Sequence, residues 1–452
     1  MRLDEKLDDF SNETIKNSLI YKSAKNIRAY TLSKIQNKTI SNIFYSMLLL
    51  VISILFISLS LPQFANDKIG IGFIIIICNL LFILYAGLSK DFKFKFNIID
   101  LLVIIFFLTL IISTFNSYFI KASLIGFSKY SLYISFYFLV KFTLLNSNKQ
   151  LMFNFWILLL FTACTVSAIG IYQYFIGIPP LATWEDPGLT THTRAYSTLG
   201  NPNLLGGHLA LFLPISLILS VEKKLNPILR IFLFGAAIVF LICIIFTGSR
   251  GAYIGTGAGL LSGFLIFINS GIKKKNKVSL ICLSLLLLSL ILIFMFPMAR
   301  ERIASVFSFW DYSTNVYRLN VWSACLQLLK DNFIFGIGPG NYTFILGYGL
   351  YMNSAYNALG AYNVFLEIAV ETGILGLFIF SLILLVSFLK LHVLYWDNGD
   401  KKYIFSLGIF ISILILLTHG MVDTVFFRPQ IFIPFWFLLA SIDKLNNELK
   451  QI

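Results

Sequence analysis

Residues 298–362 read MARERIASVFSFWDYSTNVYRLNVWSACLQLLKDNFIFGIGPGNYTFILGYGLYMNSAYNALGAY, the longest part of this 452-residue chain that a bilayer could not hold. The stretch opens with Arg300-Glu301-Arg302, and polar or small residues recur to its end. Apolar runs of about 20 residues, the length that spans a bilayer, lie on both sides of it. Chemistry on polar substrates is therefore expected in this segment or against it.

Composition predicts a membrane protein. Hydrophobic residues make up 58% of the chain and charged residues 12%, unlike a soluble globular protein. Hydropathy predicts twelve apolar segments, at residues 43–62, 69–88, 98–118, 127–145, 151–175, 204–221, 230–247, 252–270, 278–297, 363–390, 403–420 and 429–442. The expected fold class is an all-α integral membrane protein with about twelve transmembrane helices and a long extracytoplasmic loop before helix ten.

Polarity divides the chain into three parts. Residues 1–42 are polar and basic, and they lack the apolar core and cleavage site of a removable signal peptide. They are expected to form a cytoplasmic N-terminal tail. Residues 43–442 are expected to form one polytopic membrane domain with the large outer loop 298–362, and residues 443–452 a cytoplasmic C-terminal tail.

Basic residues orient the predicted helices. With the N-terminus in the cytoplasm, the inner segments hold 25 of the 35 lysines and arginines, and the outer segments hold nine. The positive-inside rule therefore predicts a multi-pass protein of the cytoplasmic membrane with both termini in the cytoplasm. This topology accounts for the net charge of +14, so the expected partner is the lipid bilayer and no nucleic acid is expected.

The kind of basic residue differs between the two faces. Of the inner 25, 22 are lysine, whereas six of the outer nine are arginine. The guanidinium group is a planar fork suited to phosphate or carboxylate, and a topological anchor needs only charge. The alternative is that these arginines pair with acids or extend to the membrane surface. The six are Arg194, Arg250, Arg300, Arg302, Arg318 and Arg428.

Two outer turns place arginines beside predicted helix starts. Arg194 precedes Asn201-Pro-Asn203, which can cap helix six and present backbone N–H groups to an anion. Ordinary capping explains the same residues. Arg250 lies in the tight turn between helices seven and eight, where an interfacial anchor and a ligand-binding group are both plausible.

The outer loop and helix ten hold two i,i+4 pairs. Arg318 and Trp322 share a face if their segment is helical. Glu367 and Glu371 share a face near the outer end of helix ten, where buried acids are costly. They are expected to be counter-ions of the outer arginines, and the alternative is that one is a general base for an acceptor hydroxyl.

The last outer hairpin combines His419, Asp423 and Arg428. His419 and Asp423 are again i,i+4, a spacing that allows an imidazole–carboxylate pair in either a structural or a catalytic role. No histidine spacing or acidic cluster predicts a metal site. We expect no metal and no cofactor.

These motifs in this order resemble the O-antigen ligase and O-antigen polymerase superfamily of membrane glycosyltransferases. The closest likeness is to a bacterial subgroup once labelled bicarbonate transporters in cyanobacteria. The likeness covers nearly all of the chain after residue 45 and is carried by residues 182–187, 196–205, 249–251, 318–322, 336–341, 365–373 and 419–430. It implies transfer of a glycan from an undecaprenyl-diphosphate carrier to a glycan or lipid acceptor at the outer face. It also implies that Arg250 and Arg318 hold the donor diphosphate.

One position departs from the family. The ligases carry a His-Asn pair at the start of helix ten, and here Tyr362 precedes Asn363. Tyrosine is a poor base at neutral pH. Either Glu367, Glu371 or His419 therefore acts as the base, or this subgroup does different work. With Tyr362 at the matching position, these are the candidate catalytic residues. The candidate residues for binding diphosphate or glycan are Arg194, Asn201, Asn203, Arg250, Arg318, Trp322, Asn363, Asp423 and Arg428.

Two other functions are compatible with the sequence. A small-anion transporter is the first, but the paired repeats and broken helices typical of transporters are not recognisable in the sequence. A non-catalytic subunit of a glycan-assembly complex is the second. The sugar, the acceptor and the oligomeric state are left open.

Overall fold

The computed structural model describes residues 3–34, 38–62, 70–179, 193–269, 276–307, 313–352, 357–396 and 404–449, and every regular element among them is helical. The first eight helices are α1 Leu3–Asn17, α2 Leu19–Lys34, α3 Lys38–Ser58, α4 Gly70–Leu88, α5 Ile98–Asn116, α6 Ile120–Leu145, α7 Lys149–Ile176 and α8 Pro202–Ser220. The others are α9 Pro227–Thr247, α10 Arg250–Asn269, α11 Asn276–Met295, α12 Pro297–Phe307, α13 Ser313–Asp331, α14 Asn341–Tyr348, α15 Val364–Trp396, α16 Ile404–Gly420 and α17 Pro429–Leu449.

The predicted all-α membrane fold is confirmed, and the count of twelve spans is not. Each of the twelve predicted segments coincides with a helix. Within the described ranges, however, only eight helices are long and apolar enough to cross a bilayer, or nine if the bent pair α11–α12 counts as one span. Helix α16 has 17 residues, and α17 ends in a charged turn, so the apolar length of both is short.

Neighbouring membrane helices alternate in direction. At the end of the bundle that carries α1 and α2, Asn97 of α5 binds Asp443 of α17. At the opposite end, Asn203 of α8 binds Asp423, which precedes α17. We call this second end, which also carries α12–α14, the cap end. All of the outer arginines discussed above belong to it.

Helix α8 lies at the centre of the bundle and is buried almost throughout its length. It packs against α9 and α16, with α10 and α17 also in contact. A helix that is apolar on all sides is stable only when neighbours surround it. Its cap-end turn is therefore held by other helices, which positions the polar residues at its start.

A buried charge network closes the other end of the bundle. Lys141 of α6 contacts Asp100 of α5 and lies 3.3 Å (Nζ to Oδ2) from Asp443 of α17. Tyr137 donates a hydrogen bond to Asp100. Helix α6 is continuous through Lys141 because two carboxylates neutralise the ammonium group.

The terminal segments pack on the same end. In the N-terminal tail, Asp8 of α1 pairs with Lys390 of α15 at 2.7 Å. Arg28 of α2 donates to the carbonyls of Ala86, in the last turn of α4, and of Ser89, directly after it. Helix α17 continues past residue 442 to Leu449, with Asp443 and Lys444 buried. The boundaries of the two tails remain predictions, although both tails are largely helical.

The expected outer loop 298–362 is mostly folded. It contains α13 and α14 and nearly all of α12, which we call the cap, so the polar stretch is a helical layer rather than an open loop. A turn at residues 336–340 joins α13 to α14 and lies against α6. A Cβ on Gly126 of α6 would overlap the carbonyl of Pro339, so this close approach requires glycine.

Helix α15 is broken at Gly373, which has φ 70° and ψ −174°. The break turns the carbonyls of Val370 and Glu371 to the cap, where they accept hydrogen bonds from the N–H groups of Ile337 (2.9 Å) and Gly338 (3.0 Å). No broken helix was recognisable in the sequence, so this break was not predicted. The break is tolerated because the cap supplies the missing partners.

Candidate functional site

The start of α8 is capped by its own chain. The Asn201 side chain accepts hydrogen bonds from the N–H groups of Asn203 (2.8 Å) and Leu204 (3.1 Å). Arg194 is buried and donates to the carbonyl of Thr247 and to the side chain of Asn203, both at 2.7 Å. These N–H groups are therefore not free for an anion, and Arg194 ties the α8 start to the end of α9.

Arg250 begins α10, directly after the α9–α10 turn. Its guanidinium donates a hydrogen bond to Ser305 of α12 at 3.0 Å. Ser305 in turn donates to the carbonyl of Arg302 at 2.7 Å. The side chain of Arg250 is half-buried, and it links the membrane bundle to the first helix of the cap.

Arg302 is the functional candidate that sequence reasoning missed. Its side chain is 3% exposed, yet Nε and Nη2 have no hydrogen-bond partner among the described residues. Both Arg302 and Arg194 act electrostatically on Tyr253 of α10, one turn from Arg250. A buried charge without partners is costly, so this guanidinium is poised for an anion. Met298, Arg302 and Ser305 are spaced four and three residues apart, so they share one face of a helix, and all three are buried. This spacing was the signal in the sequence.

An apolar groove opens beside these arginines. It has a volume of about 210 Å³ and lies between α9, α10 and α11, with Arg250 and Ile303 at its cap end. Its walls are mostly aliphatic, with Tyr253, Thr256 and Ser289 among them, and include the exposed side chains of Ile254 and Leu290. A groove of this kind fits a hydrocarbon chain whose charged head lies at the arginines.

Arg318 and Trp322 lie on α13, as the i,i+4 spacing predicted for a helix. The Nε of Arg318 and the Nε1 of Trp322 are buried without a hydrogen-bond partner. Arg318 acts electrostatically on both Tyr362 and His419, so it faces the membrane bundle. A second guanidinium with free donor capacity therefore lies over the site.

Tyr362 packs edge-on against Tyr317, with ring centroids 5.5 Å apart. Burial, and then the neighbouring Tyr317, raises the pKa of Tyr362 well above its usual value. The hydroxyl is therefore protonated at neutral pH and cannot act as a base. Asn363 caps α15 by accepting from the N–H groups of Phe365 and Leu366, and its amide donates to the Met421 carbonyl at 3.2 Å.

His419 is enclosed between two helices. A Cβ on Gly207 of α8 would lie 2.9 Å from its Nδ1, and one on Gly251 of α10 would overlap the ring. The ring is 1% exposed, and neither nitrogen has a hydrogen-bond partner among the described residues. Asp423 acts on it electrostatically but hydrogen-bonds Asn203 and the Thr424 N–H instead. The imidazole–carboxylate hydrogen bond allowed by the spacing is not formed.

Glu367 and Glu371 have partners other than arginine. Glu367 Oε2 accepts from the N–H of Ala361 at 3.1 Å, and Glu371 Oε2 accepts from the Tyr130 hydroxyl at 2.8 Å. Neither carboxylate lies within ion-pair distance of an arginine in the described part of the chain. The expected role as counter-ions is therefore not supported. Arg428 and Asp423 act on Glu367 only at longer electrostatic range.

Both glutamates line a cavity of about 230 Å³, which we call the glutamate cavity. Exposed Lys129 and Arg428 also line it. Its other walls come from α4, α6, the start of α14 and the start of α17. The cavity thus combines two buried acids with two exposed cations.

The structure brings most of the predicted residues together at the cap end. Arg318, Tyr362, Asn363, His419 and Asp423 surround the junction of α13, α15 and α16. Arg428 is apart from the other arginines and lies at the glutamate cavity. The motif at residues 182–187 and His192 lie outside the described residues.

Comparison with known families identifies the central part of this arrangement. Residues 235–381 match the family model described as O-Antigen ligase. The match includes Arg250, Arg302, Arg318 and both glutamates, and it ends within α15. A comparison with curated proteins finds no match. The chain is therefore a multi-pass helical membrane protein whose central segment, residues 235–381, is similar to the O-antigen ligase family and carries most of the site.

Proposed function

We propose that the protein transfers or polymerises a glycan from an undecaprenyl-diphosphate-linked donor at the outer face of the cytoplasmic membrane, for surface polysaccharide synthesis. The observation that carries the proposal is Arg302, a buried guanidinium with unpartnered nitrogens, beside Arg250 and the apolar groove. A diphosphate joined to a long hydrocarbon has the two properties that this place accommodates. The family match supports the same substrate class.

The arginines would act on the leaving group. The acceptor hydroxyl oxygen forms a bond to the anomeric carbon, and the bond from that carbon to the diphosphate oxygen breaks. Undecaprenyl diphosphate leaves with the electron pair, so its negative charge increases by one, and the acceptor proton passes to a base. Guanidinium groups already in place stabilise this charge as it develops, without reorganisation of solvent. Arg250 and Arg302 are positioned for this role, with Arg318 over the site.

Glu367 is our candidate for the base that takes the acceptor proton. Tyr362 remains protonated, and the His419 ring is enclosed by Gly207 and Gly251. Glu367 lines the open glutamate cavity and is within electrostatic range of Asp423, whose partner Asn203 binds Arg194. It is therefore linked through Asp423 and Asn203 to Arg194. His419 is a positioning residue behind the site.

Replacement of Arg318 by lysine tests the proposal in cells. Arg318→Lys keeps the charge but loses the fork, so glycan transfer should fall by about 100-fold or more while the protein remains in the membrane. The measurement is the length and amount of surface and lipid-linked glycan in a deletion strain that carries each variant. Lys330→Arg, at the other end of the same helix, is the matched control.

The same strain separates the alternatives. Short carrier-linked units should accumulate on deletion and disappear with the wild-type protein but not with Arg318→Lys. Normal glycans combined with altered bicarbonate or other anion uptake would instead support a transporter and refute the proposal. Full activity of Arg318→Lys would remove Arg318 from the site.

A further inference from the structure

The glutamate cavity has the lining of a carbohydrate site. The side chains of Tyr133 and Phe432 both line it, with ring centroids 5.0 Å apart in an edge-to-face arrangement. Aromatic rings offer an apolar surface to the C–H face of a sugar, and carboxylates accept hydrogen bonds from its hydroxyl groups. Gly72 of α4 lines the same cavity and leaves the room that a side chain would otherwise fill.

One carboxylate oxygen in the cavity lacks a partner. Glu367 is 2% exposed, and Oε2 takes the Ala361 N–H, whereas Oε1 has no hydrogen-bond partner among the described residues. Glu371 Oε2 accepts a hydrogen bond from the Tyr130 hydroxyl at 2.8 Å. Each carboxyl group is therefore held through one oxygen, and Glu367 Oε1 retains capacity for a hydroxyl donor.

The glutamate cavity has carboxyl groups at its buried end and basic groups at its exposed edge. Two glutamates face Lys129 and Arg428, and both basic side chains are exposed. A site for an anion would show an excess of basic groups near the buried end, and here the buried end is acidic. A polyhydroxyl ligand meets carboxyl oxygens inside the cavity and basic hydrogen-bond donors at its edge.

We propose that the glutamate cavity is the acceptor subsite and that it takes the terminal sugar ring of an acceptor glycan. The inference rests on the proposed glycosyl transfer, and it assigns the acceptor a place separate from the arginines that hold the donor. Glu367 lies at the side of the cavity nearest Asp423, so a ring in the cavity places a hydroxyl at the unpartnered oxygen. The volume suits one ring, with the rest of the glycan outside.

Binding to the purified full-length protein in nanodiscs tests this assignment. The two probes are undecaprenyl diphosphate and the glycan released by mild acid from the host's own lipid-linked pool. Gly72→Leu fills the cavity, since a Cβ at Gly72 already lies 3.3 Å from Leu132. Gly87→Leu is the matched control on the same helix, because nothing lies within 4 Å of a Cβ there. Glu371→Gln is a second variant that keeps the side-chain volume.

Gly72→Leu and Glu371→Gln should weaken glycan binding by about tenfold or more and leave binding of undecaprenyl diphosphate within about twofold. Gly87→Leu should bind both probes like the wild type. Unchanged glycan binding in both cavity variants would overturn the inference while the proposed function stands. Loss of both probes in Gly72→Leu alone would overturn the separation of the two subsites. A wild-type protein that binds neither probe would refute the proposed function itself.

Discussion

Substitution of Arg302 by methionine should separate stability from activity. Arg302 is 3% exposed, and two of its three guanidinium nitrogens have no hydrogen-bond partner among the described residues. An unsatisfied buried polar group costs about 1–3 kcal/mol, and more when it is charged. Methionine preserves much of the side-chain volume and removes that cost. The free energy of unfolding without ligand should therefore stay equal or rise by about 1–3 kcal/mol.

Activity should change in the opposite direction. Loss of one preorganised donor to a developing charge costs about 2.7–4 kcal/mol of transition-state stabilisation, or about 100- to 1,000-fold in rate. Undecaprenyl diphosphate at 100 times its Kd should stabilise the wild type by about 2.7 kcal/mol and the variant by much less. The assays are thermal unfolding in nanodiscs with and without the lipid, and transfer of radiolabelled glycan.

Arg300→Met is the matched control for this experiment. Arg300 lies on the same helix, two residues earlier, and is exposed. It should change neither the unfolding temperature nor the rate by a measurable amount. If Arg302→Met instead lost several kcal/mol of stability and kept its activity, Arg302 would be a structural residue and the argument from its unpartnered nitrogens would be wrong.

Two further substitutions probe the base and the opposite end of the bundle. Tyr362→Phe should change the transfer rate by less than about threefold. It should leave the rate–pH profile between about pH 6 and 9 unchanged, because the raised pKa of Tyr362 keeps the hydroxyl protonated there. A complete loss of transfer would make the hydroxyl part of the chemistry. Because the folded state retains this proton more strongly, wild-type stability should fall as pH rises above about 10. The phenylalanine variant should show a smaller fall in a thermal-unfolding series, because it lacks the contribution of Tyr362. Lys141→Met should destabilise the fold by about 3–5 kcal/mol because it leaves Asp100 and Asp443 buried without a cation. The double variant Lys141→Met/Asp100→Asn should recover part of that loss in the same unfolding assay, and no recovery would argue against the ion network.

Patterns local to the sequence predicted most of the helices. Apolar runs of spanning length and capping residues such as Asn201 each act within a few residues, so they can be read without the fold. The i,i+4 spacing of Arg318 and Trp322 predicted a helical face in the same way. The excess of lysine in the predicted inner segments and of arginine in the predicted outer segments followed from counting these residues.

Features that depend on distant residues could not be predicted in this way. Lys141 is stabilised by an acid 41 positions before it and by another near the C-terminus. The break at Gly373 depends on N–H groups more than 30 positions earlier. Arg300 and Arg302 differ only in helical phase, about 200° apart on α12, and the phase of that helix is set by its packing.

The hydrogen bonds that join the cap to the break in α15 also bear on the construction of hybrid proteins. The N–H groups of Ile337 and Gly338 bind carbonyl groups of α15 that are available as acceptors only because α15 changes direction at Gly373. The first turns of α15 therefore form one structural unit with α13 and α14 and have to be exchanged together with them. A chimaera that exchanges specificity between relatives should place its junction after residue 373, since a junction at the apparent loop boundary near Asn363 would separate the donors from the acceptors that they require.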